Sequence, residues 1–298
     1  MKINHLFDSL QKGDFRALSR AISLVENESA GSEELLHLLD FHKKVPVIGV
    51  TGPPGAGKST LVNALIREIT QKGFRIGVVA IDPTSPFNYG SLLGDRIRMA
   101  EHFNNENVFI RSLATRGSLG GLSIKTIEVI DVMKAFGFDY IIIETVGVGQ
   151  SEVEIAGLAD TSIVVLVPEA GDEIQGIKSG LMEIADIFVV NKADRDGADQ
   201  FATNLKKLLH QRPASTWEIP VLKTVAAKNE GIVELISQIE KHFSVAQNTK
   251  KPFLMAEKAY RLIQNKRMKD VSKNKLLIDM AQHINDPAFN LYRYLKTL

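Results

Sequence analysis

One segment constrains this chain more than any other: residues 52–59 read Gly-Pro-Pro-Gly-Ala-Gly-Lys-Ser and fit the pattern G-x-x-x-x-G-K-[ST]. An apolar run at 45–50 precedes it, and residues 61–66 follow with the apolar spacing of a helix. A strand, a glycine-rich loop and a helix in this order form a P-loop, whose backbone N–H groups and helix N-terminus surround a phosphate. The residues expected to bind phosphate are Gly52, Pro53, Pro54, Gly55, Ala56, Gly57, Lys58, Ser59 and Thr60.

The same motif predicts side chains for metal binding and catalysis. Lys58 is placed to reach the β- and γ-phosphates, and the Ser59 hydroxyl is placed to ligate Mg²⁺. Glu144 ends the apolar run 140–144, where P-loop proteins carry a carboxylate on the metal side. Asp82 and Asp95 lie beyond predicted strand ends, where ligands gather in open α/β sheets. We expect Ser59, Asp82, Asp95 and Glu144 to hold Mg²⁺ together with phosphate oxygens.

A second motif indicates which base the nucleotide carries. Residues 191–194 read Asn-Lys-Ala-Asp directly after an apolar run. The Asp194 carboxylate can accept hydrogen bonds from guanine N1–H and N2–H₂, and adenine has no such donor pair. Asn191 can donate to guanine N7 or tie loops together, and the Lys192 stem can lie over the base. After the next apolar run, a backbone N–H of residues 225–227 is placed to meet guanine O6, from one of Val225, Ala226 and Ala227.

Composition sets broad limits on the chain. It has 298 residues and a formal net charge of +1, so no global field attracts nucleic acid or a membrane surface. Cysteine is absent, which excludes disulfides and thiolate metal sites and fits a reducing compartment, so we expect a cytoplasmic protein. We see no signal pattern and no run long enough to span a membrane. Residues 249–298 carry eleven Lys and Arg against four Asp and Glu.

The apolar runs predict an α/β fold, a P-loop NTPase with a mostly parallel central sheet flanked by helices. Helical extensions are expected at both ends, as 1–42 and as a basic tail, 247–298, that is a candidate dimerisation arm. The nucleotide-binding domain is expected over 43–246, and residues 247–252 read as a linker. The predicted strands are 45–50, 75–81, 108–110, 140–144, 162–167, 187–190 and 221–225.

Several longer strips resemble one known family. They are 82–86 (Asp-Pro-Thr-Ser-Pro), 94–99 (Gly-Asp-Arg-Ile-Arg-Met), 111–122, 144–152 and 171–178. Together, over roughly residues 40–245, they resemble the methylmalonyl-CoA mutase-associated GTPases of the MeaB/ArgK type. The resemblance implies a Mg²⁺-dependent GTPase that dimerises and acts as a chaperone for an adenosylcobalamin-dependent acyl-CoA mutase, gating cofactor loading and protecting the mutase. It also implies a third switch at 168–180, in which Asp172 and Lys178 respond to nucleotide and to the mutase.

The expected reaction is hydrolysis of GTP to GDP and phosphate, resting on positioning and charge neutralisation. The N–H of Gly147, three residues after Glu144, could meet the γ-phosphate and be released on hydrolysis. Either Gln150 or Asp82 could orient the attacking water. Arg96 could face the γ-phosphate or could pair with neighbours of Asp95.

Two alternative functions compete with that of a GTPase chaperone. A metallochaperone-type GTPase needs His or Cys ligands, and the absence of cysteine together with scattered histidines argues against it. An ATP-linked transport kinase or ATPase needs an adenine site, which the Asn-Lys-Ala-Asp motif disfavours. The basic tail lacks the interleaved aromatic residues of a nucleic-acid platform, so a solvated face or an acidic protein partner is expected there.

Overall fold

The computed structural model describes residues 3–82, 99–114, 124–145, 155–169, 179–211, 216–245, 251–268, 270–284 and 289–296. Its centre is a seven-stranded parallel sheet with the order β3-β2-β4-β1-β5-β6-β7. The strands are β1 Val47–Thr51, β2 Ile76–Asp82, β3 Val108–Ala114, β4 Tyr140–Thr145, β5 Thr161–Leu166, β6 Ile187–Val190 and β7 Val221–Lys223. All seven predicted strands are present, and the predicted P-loop NTPase sheet is confirmed.

The strand sequences explain their positions in the sheet. Every residue of β1, β4, β5 and β6 is buried, as expected for continuous apolar runs covered on both faces. Strand β3 is longer than the predicted 108–110 and continues through Arg111 and Ser112. It lies at the end of the strand order, and Arg111 forms an ion pair with Glu26. A polar residue with such a partner does not end a strand, which is why the apolar run underestimates the length of β3.

Helices cover both faces of the sheet. One apolar cluster joins Leu65 and Ile236 to Ile142 of β4, and the cluster on the other face joins Leu18 to Met133 and Ile143. The N-terminal extension is helical as predicted, and its first three helices contribute to this second cluster. The helices are α1 Ile3–Gln11, α2 Phe15–Glu26, α3 Ser32–Leu38, α4 Lys58–Gln71, α5 Ile124–Phe136, α6 Ser179–Ile184, α7 Ala198–His210, α8 Ile232–Val245, α9 Lys251–Arg267, α10 Lys273–His283 and α11 Leu291–Tyr294.

The chain separates into two units, Met1–Leu254 and Met255–Leu298. The C-terminal extension is helical as predicted, but α9 begins at Lys251, so Pro252 lies in a helix rather than in the predicted linker. Proline is tolerated in the first turn of a helix because the N–H it lacks would have no helical acceptor there. Residues 246–250 lie outside the described residues. None of the described helices is both long and apolar enough to cross a membrane.

Candidate active site

The P-loop connects β1 to α4 at the carboxyl edge of the sheet, and its shape depends on glycine. Gly52 has a φ of +140°, and a Cβ placed there would lie 2.1 Å from the carbonyl oxygen of Val165 in β5. Gly57 has a φ of +85°, and its Cβ would lie 2.4 Å from Nδ2 of Asn191. Both positions therefore require a residue without a side chain.

The start of α4 supplies backbone donors next to this loop. The Leu61 N–H donates to the Gly57 carbonyl at 2.9 Å and makes the first bond of the helix ladder. The N–H groups of Lys58, Ser59 and Thr60 precede that bond and have no helical acceptor by geometry. Together with the positive end of the helix dipole, they form a site suited to an anion such as a phosphate.

The Lys58 side chain is 7% exposed and folds back over the loop. Its Nζ donates to the carbonyl oxygens of Gly52 at 2.8 Å and Pro53 at 3.0 Å. These bonds hold a positive charge within the P-loop, on the side where the predicted phosphates lie. The ammonium can exchange these neutral acceptors for phosphate oxygens, which bind a cation more strongly.

Two of the predicted metal ligands meet beside the P-loop. The Ser59 hydroxyl donates to Oε1 of Glu144 at 2.6 Å, and Glu144 is 5% exposed. Strand pairing explains this contact, because Glu144 lies beside Val50 in the neighbouring β1. The donor set fits Mg²⁺: a hydroxyl and a carboxylate are the oxygen ligands this ion prefers. Asp82 ends β2 at the same edge of the sheet, but its side chain lies outside the described residues.

Asn191 joins three segments of the predicted guanine site. Its Nδ2 donates to the Ala56 carbonyl of the P-loop at 3.0 Å. Its Oδ1 accepts from the Thr224 hydroxyl at 3.1 Å and from the Ala226 N–H at 3.2 Å. Of the two roles considered for Asn191, these contacts favour tying the loops together. Thr224 takes part in this network, although the sequence analysis did not single it out.

Lys192 and Asp194 belong to the same loop, which follows β6. Lys192 has a φ of +55°. Its Nζ donates to the Gly55 carbonyl at 2.8 Å, so the aliphatic part of the side chain extends to the P-loop. Asp194 is half-exposed and accepts a charged hydrogen bond from Lys228 Nζ at 3.3 Å. An exposed carboxylate at this position can exchange that partner for the N–H groups of a base.

The segment after β7 forms a tight turn beside Asn191. Residues Ala226–Lys228 make a single 3-10 turn, and Asn229 closes it with a φ of +59°. The Val225 N–H donates to the Glu230 carbonyl at 3.2 Å, and the Ala226 N–H donates to Asn191. The turn therefore lies where the sequence places the O6 contact, and two of its three candidate donors have protein acceptors.

An ion pair that the sequence analysis missed links two loops of the site. Arg195, directly after Asp194, pairs with Glu169 at the start of the strip predicted as the third switch. The two residues are 26 positions apart, so only the fold brings them together. Several predicted site residues fall outside the described residues: Asp95, Arg96, Gly147, Gln150, Asp172 and Lys178.

Comparison with known proteins identifies the family. The sequence model of one protein family, described as methylmalonyl-CoA mutase-associated GTPase MeaB, matches residues 18–282, which is most of the chain. The chain belongs to the MeaB family of GTPases. It binds guanine nucleotides and hydrolyses GTP, and the recognition made from the sequence strips is confirmed.

Named relatives of this MeaB-family GTPase come from all domains of life. A Pyrococcus abyssi protein named as a GTPase is 51% identical over 80% of this chain and 76% of its own length. GTPase ArgK of Escherichia coli is 39% identical over 76% of this chain and 71% of its own length. The mouse mitochondrial methylmalonic aciduria type A homolog is 37% identical over 78% of this chain and 61% of its own length.

A solved structure supports the fold over the whole chain. The crystal structure described as an LAO/AO transport system kinase has a TM-score of 0.68 and 26% sequence identity. The match covers 99% of this chain and 95% of that one. Its similarity agrees with the P-loop sheet and with helices at both ends of the chain.

Proposed function

We propose that this GTPase acts as a chaperone for an adenosylcobalamin-dependent acyl-CoA mutase of the methylmalonyl-CoA mutase type, gating cofactor loading and protecting the mutase. The observation that carries the proposal is the match to a family described by its association with that mutase. The name of the mouse relative supports the same metabolic context. The absence of cysteine favours the cytoplasm as its compartment.

The proposed guanine site uses the loops that Asn191 joins. Asp194 accepts from guanine N1–H and N2–H₂, giving up the hydrogen bond from Lys228. Lys192 lies over the base, held by its bond to Gly55. The turn at 225–227 supplies the N–H for O6. Discrimination against adenine then rests on Asp194, because adenine would leave its carboxylate without donors.

We propose that Ser59 and Glu144, with Asp82 and Asp95, hold Mg²⁺. A Ser59 hydroxyl that donates its proton to Glu144 keeps its oxygen lone pairs available to a cation. When bound, the ion would supply positive charge to the β- and γ-phosphate oxygens.

Hydrolysis itself rests on the fixed positions of charged groups. Lys58 and the N–H groups at the start of α4 hold the β,γ-bridge and stabilise the negative charge that develops on it. Gln150 or Asp82 orients the attacking water, and Arg96 and the Gly147 N–H face the γ-phosphate. Basal turnover is slow, because a switch protein needs a lasting GTP state.

The proposed communication with the mutase uses the strip at 168–180, with Asp172 and Lys178 as its responsive residues. The Arg195–Glu169 ion pair supports this role, because it ties the first residues of the strip to the guanine loop. A change in the conformation of that loop on nucleotide binding would shift Arg195 and therefore its partner Glu169. We also propose that the chain works as a homodimer.

A pull-down with a purified B12-dependent acyl-CoA mutase tests the chaperone role. The full chain is used without nucleotide, with GDP, and with a non-hydrolysable GTP analogue. Capture that depends on nucleotide is expected, and it also identifies the binding state. The Lys58→Ala variant should lose the nucleotide dependence because it loses a phosphate contact, whereas the exposed Lys206→Ala variant should keep it. Tight GTP binding without capture in any state would contradict the chaperone role.

A second candidate, an ATP-linked transport kinase, has one observation in its favour. The solved structure with a TM-score of 0.68 carries the description LAO/AO transport system kinase. Nucleotide selectivity separates the two candidates. Calorimetric titration with GTP and ATP should show GTP binding alone at micromolar concentrations, and comparable affinity for both would favour the kinase.

A further inference from the structure

A cleft of about 570 Å³ lies on the first unit, away from the nucleotide site. It opens between α2, the 3-10 turn at 100–102 and the start of β3. The nucleotide site is at the carboxyl ends of the strands, and this cleft is at the beginning of β3. Its lining includes Arg16, Arg20, His102, Phe103 and residues 108–110.

The cleft faces the edge of β3 that has no paired strand among the described residues. Successive side chains of a strand point to opposite faces, so a cleft lined by the consecutive residues Val108, Phe109 and Ile110 must lie along the strand edge. The core confirms the alternation: Phe109 packs with the N-terminal helices, and Val108 and Ile110 pack in the cluster on the other face. β3 ends the strand order and, within the described ranges, pairs only with β2.

An open strand edge presents backbone N–H and C=O groups that can pair with an extended chain. Beside the cleft the Val108 N–H already donates to the Asn105 carbonyl at 3.0 Å, so among the described residues the edge groups that can pair there are the Val108 carbonyl and the N–H and carbonyl of Ile110. An added segment there would be held by main-chain hydrogen bonds, while pockets on alternate sides would select its side chains.

The walls of the cleft are basic and aromatic. Arg16 and Arg20 are four residues apart on α2, so they lie on one helix face, and both are exposed. The described lining residues include no Asp or Glu, although Glu101 lies just outside, 3.2 Å from His102 Nε2. Burial lowers the pKa of the His102 imidazole, so the positive charge of the cleft comes from the arginines. Phe103 is 52% exposed and offers an apolar surface.

We propose that this cleft binds an extended acidic segment of a partner protein, which adds to the edge of β3 as a strand. Carboxylates at every second position of the segment contact Arg16 and Arg20, and Arg20 exchanges its present partner for this contact. The side chains between them pack on Phe103. The charge complementarity favours an acidic occupant over a neutral or basic one. This interaction surface is separate from the nucleotide site, so its occupation leaves GTP hydrolysis intact.

The experiment uses the full chain and labelled hexapeptide probes in fluorescence anisotropy. The acidic probe alternates Val and Glu, a basic probe alternates Val and Lys, and a third acidic probe has Pro in place of its central Val. The wild-type chain should bind the acidic probe saturably and fail to bind the basic one. The Pro probe keeps the charge but loses a backbone donor, so it should bind roughly tenfold more weakly if strand pairing holds the segment.

Charge reversal locates the site. The double variant Arg16→Glu and Arg20→Glu should bind the acidic probe at least about tenfold more weakly. The matched control, Lys206→Glu with Lys207→Glu on α7, changes the net charge equally and should bind like the wild type. Both variants should hydrolyse GTP at the wild-type rate, which also shows that they fold.

Four results would overturn the proposal. The first is no saturable binding of the acidic probe to the wild type at millimolar concentrations. The second is equal binding of the Pro probe, which would indicate charge attraction without strand pairing. The third is equal binding by the Arg16→Glu, Arg20→Glu variant. The fourth is a change in sedimentation mass with this variant, which would mean that a second copy of the chain occupies the cleft.

Discussion

At the scale of single residues, Asp194 should set the choice of base. In the Asp194→Asn variant, the amide NH₂ would oppose the guanine N2–H₂ group, donor against donor, while it would match the C2 carbonyl of xanthine. We expect the affinity for GTP to fall on the order of a hundredfold or more and the affinity for xanthosine triphosphate to rise. Calorimetric titration of both proteins with both nucleotides measures this. Unchanged GTP affinity would remove Asp194 from the site.

Asn191 should matter for stability as well as for binding. The Asn191→Ala variant leaves the Ala56 carbonyl, the Thr224 hydroxyl and the Ala226 N–H without their present partner. Because each buried polar group without a partner costs about 1–3 kcal/mol and three groups are affected, we expect the free energy of unfolding to fall by about 3 kcal/mol or more. Urea unfolding followed by the fluorescence of the single tryptophan, Trp217, measures it.

The control for Asn191 is Asn27→Ala at the exposed end of α2. Its side chain bonds only within its own helix end, to the Ser23 carbonyl at 2.9 Å, among the contacts described. The free energy of unfolding should change by at most about 0.5 kcal/mol. Equal effects of the two substitutions would show that Asn191 does not hold the loops together.

At the scale of elements, the P-loop contains two glycines that should respond differently to alanine. Gly52 and Gly55 both have positive φ, +140° and +77°. A Cβ on Gly52 would meet the Val165 carbonyl at 2.1 Å, whereas a Cβ on Gly55 would meet nothing within 4 Å. Gly55→Ala should cost about 1 kcal/mol and leave the chain folded, and Gly52→Ala should cost about 3 kcal/mol or more. Thermal unfolding of the two variants measures the difference, and equal costs would contradict the clash.

The pairing of β2 with β4 begins next to Asp139, and its contribution to stability should be sensitive to acid. Burial alone would raise the pKa of Asp139, but hydrogen bonds from Lys43 Nζ at 2.8 Å and the Arg75 N–H at 2.8 Å outweigh it and lower the pKa. A lowered pKa in the folded state stabilises the fold above the ordinary value of 3.8, and the gain is lost as the pH falls through the folded pKa. Asp139→Asn should therefore lower the urea midpoint at about pH 7, and this deficit should shrink as the pH falls below 3.8. A deficit that stays constant with pH would contradict the argument.

The sequence predicted the elements better than it predicted the contacts between them. Continuous apolar runs and two spaced motifs were sufficient for all seven strands, because buried parallel strands and phosphate loops have local signatures. The Arg195–Glu169 pair and the cleft between α2 and β3 join residues far apart in sequence. Such contacts depend on the strand order, which no local pattern encodes. The length of β3 was underestimated because the partner of Arg111 lies on α2.

At the scale of the whole molecule, the C-terminal unit is the candidate for self-association. Its helices leave many large apolar side chains exposed, and we propose that these side chains form the dimer interface. The unit also has its own internal contacts, including a hydrogen bond from the Tyr294 hydroxyl to Asp279 at 2.9 Å. The exposed apolar residues are Met255, Tyr260, Ile263, Met268, Val271, Leu277, Ile278, Ile284, Leu291, Tyr292 and Leu295.

Removal of this unit should separate nucleotide binding from dimerisation. A chain ending at residue 250 keeps the sheet, the P-loop and the guanine loops, so it should bind GTP with the affinity of the full chain. Its sedimentation mass should be that of a monomer, while the full chain should sediment as a dimer. The full-length variant Leu277→Ser with Ile278→Ser removes two exposed apolar side chains without truncation and should weaken the dimer. A truncated chain that still dimerises would place the interface within residues 1–250, and truncation would then reduce neither dimerisation nor GTP binding.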